Sequence, residues 1–216
     1  GNMEFSPLRY KNLFKFQNCH NSMEKKDQFT IRQPEYLESF EAFRESTSLL
    51  QIATKVKEHI DKKGGDLKCL DSMAGTGIVG RKMKEVFNQI NVVFQDKSHK
   101  MLTSEVYHDE NRIESDASDT GLQESSFDII FCRGGLNNVS EEYYPTILQE
   151  YIRLLADDGI IILQDHFART QEEMDVINRI ETEIATIEDR SDATYVPTTQ
   201  ELKRLNPNKV DITIPA

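Results

Sequence analysis

Lys68-Cys69-Leu70-Asp71-Ser72-Met73-Ala74-Gly75-Thr76-Gly77 passes from an apolar run into a glycine-rich turn, and a helical pattern opens near Ile78. Such a turn brings bare backbone N–H groups close to a ligand, because no side chains stand in the way. Gly75, Gly77 and Gly80 satisfy the GxGxxG spacing of nucleotide-binding turns, a pattern that an empty tight turn also meets. Further on, Asn91-Val92-Val93-Phe94-Gln95-Asp96 ends in an acid. A carboxylate there can accept hydrogen bonds from both hydroxyls of a ribose, each worth roughly 1.5–3 kcal/mol. The plainer role for Asp96 is to cap the helix expected from Ser98 onward. Together these residues suit an adenosine-containing cofactor without choosing between a methyl donor and a nicotinamide dinucleotide.

The elements that must hold these residues follow from hydrophobic period. Short apolar runs at Lys68 to Asp71, Asn91 to Asp96, Arg112 to Glu114, Phe127 to Cys132 and Gly159 to Gln164 predict five strands. Helical patterns at 78 to 88, 98 to 107 and 141 to 156 lie between them, which is the alternation of a parallel sheet covered on both faces. Residues 34 to 63 predict one or two helices ended by Gly64-Gly65, and 170 to 189 a charged amphipathic helix. A short helix near 198 to 205 and a strand at Val210 to Ile214 complete the pattern. Residues 1 to 44 form a separate region, an aromatic arm and helix carrying Tyr10, Phe14, Phe16 and Phe29; residues 45 to 216 form the α/β domain. The arm suits a lid, a dimer contact or a cover for the sheet edge. Gly1-Asn2 ahead of Met3 has the look of a cloning scar.

The order of these marks resembles the class I S-adenosylmethionine-dependent methyltransferases, in their small-molecule branch. Asp71 and the loop through Gly77 match that family's first motif, with Met73 in place of its first glycine and therefore with ordinary backbone angles expected there. Asp96 matches the acid ending the second strand, Asp116-Ala117 the pair after the third, and Phe127-Asp128 the start of the fourth. Leu154 to Ile162 matches a helix end, a turn completed by Gly159 and the fifth strand. The resemblance covers about residues 45 to 167 and implies a Rossmann-like, doubly wound, mostly parallel sheet. It implies S-adenosyl-L-methionine as cofactor and S-adenosyl-L-homocysteine as product. The implied cofactor-binding residues are Asp71, near the ammonium, with Met73, Ala74, Gly75, Gly77, Asp96, Lys97, Asp116, Ala117, Arg133 and Gly134. A full sheet of this family has seven strands, and the last is missing from the sequence pattern. A truncated chain, continuation into a larger one, or a subunit over the edge would each account for that.

On the substrate side, Cys132 to Val139 follows the fourth strand without the Asn/Asp-Pro-Pro-aromatic motif of amino methyltransferases acting on nucleic acids or protein amides. His166 is the best-placed candidate general base, with Asp165 placed to orient its ring, although a hydrogen-bonded loop histidine is the favoured reading of the residue. No metal is expected, since Asp165 and His166 lack further ligands. Arg133 suits a substrate carboxylate or a helix C-terminus.

The 216 residues allow one core, and a net charge of −11 disfavours a phosphate backbone as general partner. Three cysteines, Cys19, Cys69 and Cys132, lack metal or disulfide spacing, and no stretch is apolar enough to span a bilayer. A cytoplasmic enzyme with a small-molecule substrate, no nucleic acid and no membrane is expected, as a homodimer or part of a longer chain. Two alternatives stand beside it. One is a non-catalytic Rossmann-like binding module. The other is a short-chain-type dehydrogenase, for which no tyrosine has the required lysine four residues later.

Overall fold

The computed structural model describes residues 47–104, 107, 110–165, 170–187 and 211–213. The aromatic arm, His166 and the expected helix at 198 to 205 lie outside these residues.

Helix α1 (Thr47–Lys63) places Leu49, Ile52, Val56 and Ile60 at spacings of three and four, and all four are buried as one stripe. It ends where Gly64 takes φ 69° and donates its N–H to Ile60 O, the glycine stop expected from the sequence. Strand β1 (Leu67–Ser72) leads through the glycine loop to α2 (Ile78–Val86), and β2 (Ile90–Asp96) follows. A short α3 (His99–Leu102) precedes β3 (Asn111–Glu114) and β4 (Phe127–Arg133). Helix α4 (Tyr144–Leu154), entered through a 3-10 turn at Glu141–Tyr143, leads directly into β5 (Leu155–Gln164). Helix α5 (Gln171–Ile187) and β6 (Asp211–Thr213) complete the described elements.

The strands lie in the order β3-β2-β1-β4-β5-β6, and every adjacent pair is parallel. This is the doubly wound sheet that the alternation predicts, and both faces carry a core. On one face Cys69, Val92, Phe94, Ile129, Phe131 and Ile162 pack under α1 and α2. On the other Leu70, Val93, Ile130, Cys132, Ile161 and Leu163 pack under α4, where Tyr144, Tyr151 and Leu154 are fully or nearly fully buried. The continuous apolar runs of β4 and β5 follow from burial on both sides. β6 pairs directly with β5, and no antiparallel strand is among the described residues.

Three sequence expectations are corrected. The helix expected over 98 to 107 is one turn, 99 to 102, because Thr103 and Ser104 leave the helical path and the Tyr107 side chain is buried. The turn expected at Asp157-Asp158-Gly159 is instead a bulge inside β5. Phe127 faces Leu155 while Ile129 faces Ile160, so β5 advances further than β4 over the same span. Gly159 lies in a crowded place: a Cβ there would run into the Leu155 side chain and meet Ala156 O at 3.0 Å. Met73, expected to have ordinary angles, has φ 51°. It takes the left-handed conformation of the glycine it replaces, at a cost of roughly 1–2 kcal/mol.

Candidate cofactor site

Because all strands run the same way, their carboxyl ends share one edge, and that edge carries Asp71, Asp96, Arg133 and Gln164. The order changes direction at β1, between β2 and β4, which is where open α/β sheets form a ligand crevice. The glycine loop spans this point.

The two acids of the loop have different surroundings. Asp71 is buried, and its Oδ2 accepts the Gly80 N–H at 2.8 Å, satisfying one of the orphan donors at the start of α2. Burial pushes its carboxyl up to about 8, and the charge of Asp96 pushes the same way; the Gly80 N–H, Arg133 and Arg81 pull it back. Asp96 is half-buried: Oδ2 accepts from Gly75 N and Oδ1 from Ser98 N, each at 2.8 Å. Burial raises its carboxyl too, against those N–H groups. The cap of α3 itself is Ser98, whose Oγ accepts from Met101 N. The Lys97 N–H bears on the Asp96 carboxyl as well, and since an ionised carboxylate offers about four acceptor positions, Asp96 keeps capacity for a ribose hydroxyl.

Between the acids the loop is held at every step. Met73 N donates to Gln95 Oε1, Ala74 N to Gln95 O and Gly75 N to Asp96. Gly75 and Gly77 take φ 57° and 73°, which favours glycine at both. A Cβ at Gly75 would have nothing within 4 Å, so the loop is bare at that point. At Gly77 the Tyr107 ring would stand 2.5 Å from such a Cβ, and its hydroxyl donates to Gly75 O at 2.7 Å. Tyr107 also packs edge-on against Phe94 at 5.2 Å. The open flank at Gly75, beside an acid with acceptor capacity, fits an adenosyl group.

The remaining predicted residues distribute around this edge. Lys97 is exposed next to Asp96. After β3, Asp116 Oδ1 accepts from the Ser118 N–H at 2.9 Å and the Ser118 hydroxyl at 2.7 Å, which hold its carboxyl below the usual range, while Ala117 is buried. At the end of β4, Arg133 is half-buried and exerts its charge on Asp71. Gly134 takes φ 68° and donates its N–H to Gln164 O. Asp165 Oδ2 accepts from Asn137 N at 3.2 Å, bracing the 3-10 turn Leu136–Asn138.

Residues 70–163 match the family model described as a methyltransferase domain. Among solved structures, the fold is similar to a SAM-dependent methyltransferase from Archaeoglobus fulgidus, with 17% identity, a TM-score of 0.56, and 79% of this chain and 71% of that one covered. A SAM-dependent methyltransferase from Thermotoga maritima gives 17% identity and a TM-score of 0.57, over 82% of this chain and 76% of that one. The YcgJ protein from Bacillus subtilis gives 17% and 0.55, over 70% of this chain and 65% of that one. The chain thus spans slightly less than two thirds of YcgJ's length. At these identities the likeness is one of fold. No curated protein matches the sequence.

Two residues that support the glycine loop were missed in the sequence. Gln95 had a signal: it shares strand parity with buried Val93, which marks a polar side chain on an interior face. Tyr107 had none, because its packing depends on an irregular return from α3.

Proposed function

We propose that this chain transfers the methyl group of S-adenosyl-L-methionine to an oxygen, nitrogen or carbon nucleophile of a small molecule. The observation that carries the reading is Asp96: a half-buried carboxylate with acceptor capacity at the end of β2, beside the bare flank of Gly75. When bound, the cofactor supplies an electrophilic methyl group on a sulfonium, and the nucleophile attacks in line as the carbon–sulfur bond breaks to leave S-adenosyl-L-homocysteine.

The protein's task is then mainly to bind and orient, and orientation is worth roughly 7–11 kcal/mol. Asp96 accepts from a ribose hydroxyl, and the Met73 to Gly77 loop holds the methionine part beside Asp71. Lys97, Asp116 and Ala117 line the adenine end. Arg133 and Gly134 close the β4 side, where a substrate carboxylate would meet the guanidinium. His166 stays the proposed base for an acceptor that must lose a proton. The acidic net charge, −11, supports a small-molecule acceptor over a nucleic acid. Cys69 and Cys132 are buried free thiols, which suits a reducing cytoplasm, and no helix of the described residues is long and apolar enough to cross a membrane.

Calorimetric titration with S-adenosylhomocysteine, S-adenosylmethionine and NAD(H) tests the reading; the nicotinamide arm is needed because that cofactor uses the same strand order and acid. Adenosyl ligands are expected to bind to the exclusion of NAD(H). Asp96→Ala is expected to weaken them at least tenfold, on the order of the 1.5–3 kcal/mol of a charged hydrogen bond. Binding of NAD(H) alone would overturn the assignment, and thermal melting of the variant separates lost contacts from lost fold.

A further inference from the structure

We propose that Gln95 is a positioning residue of the cofactor site, whose side-chain amide sets the entry of the glycine loop and ties it to the loop after β3. This rests on the cofactor reading above. Gln95 is fully buried at the penultimate position of β2, and three elements converge on it. Its Oε1 accepts from the Ser72 hydroxyl at 2.8 Å and from the Met73 N–H at 3.1 Å. Its Nε2 donates to Ser115 O at 2.6 Å. Ser72 in turn accepts from the Tyr151 hydroxyl at 2.8 Å, so the chain of donors runs from Tyr151 to Ser72 to Gln95 to Ser115.

The partners leave only one orientation for this amide. Met73 N–H can only donate and Ser115 C=O can only accept, so exchanging the amide's two ends would put donor against donor and acceptor against acceptor. The chain is therefore directional, and one side chain fixes two segments at once. At one end it anchors the N–H of Met73, the residue forced to φ 51° at the mouth of the loop. At the other it anchors the carbonyl immediately before Asp116-Ala117. These segments flank the methionine and adenine ends of the proposed cofactor, and the Ala74 N–H to Gln95 O bond adds a second tie on the loop side. No atom of Gln95 is needed against the cofactor itself; its action is through Met73 and Ser115.

The discriminating variant is Gln95→Glu. As a neutral acid, glutamate offers one acceptor and one O–H donor and reproduces the chain; as a carboxylate it loses the donor and sets negative charge against Ser115 O. Burial holds such a carboxyl above the ordinary range, so the neutral form persists in mild acid and is lost as pH rises. The titratable groups bearing on the chain are Tyr151, Cys132 beside it, and Asp71, with Asp96 adjoining at the strand end. Parent and variant share all four, so a pH dependence common to both cancels in the ratio of their dissociation constants, which reads the charge placed at position 95 together with its effect on Asp71 and Asp96.

The experiment is calorimetric titration of the full chain with S-adenosylhomocysteine across mildly acidic to mildly basic pH, for the parent, Gln95→Glu and Gln95→Leu, with melting checked at each pH. The Gln95→Glu to parent ratio is expected near one in acid and about tenfold weaker in base, as one unmade buried hydrogen bond implies. Gln95→Leu is expected to bind about tenfold more weakly at every pH, by the same loss. A ratio that stays flat with pH overturns the proposal, as does a folded Gln95→Leu that binds like the parent. If Gln95→Leu does not fold, the Gln95→Glu ratio alone decides. A parent that fails to bind at any pH overturns the cofactor reading itself, whereas a parent that binds beside a flat ratio overturns only the role of Gln95.

Discussion

Asp71 and Asp96 show how little residue type alone assigns a role. Both lie at the carboxyl ends of strands on the same sheet edge, yet Asp71 is enclosed and committed to the Gly80 N–H, while Asp96 is half-buried with an acceptor position to spare. The enclosure has a consequence for pH. Asp71's carboxyl stands at about 8, above its unfolded value, so the folded state favours the protonated form. Its contribution to stability is fully present below the unfolded value and is lost as pH rises through about 8. Asp71→Asn keeps an acceptor for Gly80 without the ionisation. The variant's melting temperature is therefore expected to fall less than the parent's between about pH 5 and about pH 9. Parallel declines would place the dependence elsewhere. Asp71, Asp96 and the glycines were legible in the sequence because their types and intervals are tied to a strand–turn–helix unit. Met73's left-handed angle was not, since its cost is offset by partners distant in sequence, Gln95 Oε1 and the close packing of Met73 against Gly135. Gln95's bonds to Ser72 and Ser115 were hidden for the same reason.

At the scale of elements, Gly80 decides how closely α2 lies on the sheet. A Cβ there would stand 2.5 Å from Phe94 Cε1, 2.8 Å from Val92 Cγ1 and 2.9 Å from Asp71 Oδ2. Alanine inside a helix normally gains about 1 kcal/mol over glycine, but overpacking costs about 1–3 kcal/mol, and these neighbours are a ring and a β-branched side chain held in the core. Gly80→Ala is expected to lower the unfolding free energy by about 1–2 kcal/mol in denaturant titration. An unchanged or higher value would mean that α2 can lift off the sheet freely. The strands and most helices were readable because apolar period reports which face is buried. Where the reading failed, local pattern was overridden by tertiary contacts: α3 stops after one turn, with buried Tyr107 beyond it packed against the glycine loop, and Asp157 to Gly159 is drawn into β5 by pairing with β4. The 3-10 entry to α4 lies at Glu141–Tyr143, ahead of Pro145. Proline near a helix start was a usable sign that the α-helix begins later than position 141.

For the whole molecule, the alternation of strands and helices made the doubly wound sheet legible, while strand order was not, because period does not say which strands become neighbours. In the order found, the central strand has unequal partners along the chain. β1 meets β2 after a single helix, but its other edge waits for β4, with Cys69, Leu70 and Asp71 pairing to Ile129, Ile130 and Phe131 about 60 residues later. Closing a loop of that length costs entropy before any contact repays it, so folding is expected to be limited by the β1–β4 encounter. Until then β1 offers an open apolar edge to any passing strand. A fragment ending before Phe127 is accordingly expected to show no cooperative melting by circular dichroism and to aggregate, even though it holds both acids and the whole glycine loop. A fragment that melts cooperatively would place the nucleus in the first three strands instead. If the expectation holds, the residues proposed to recognise the cofactor acquire their geometry only when the second half of the chain arrives.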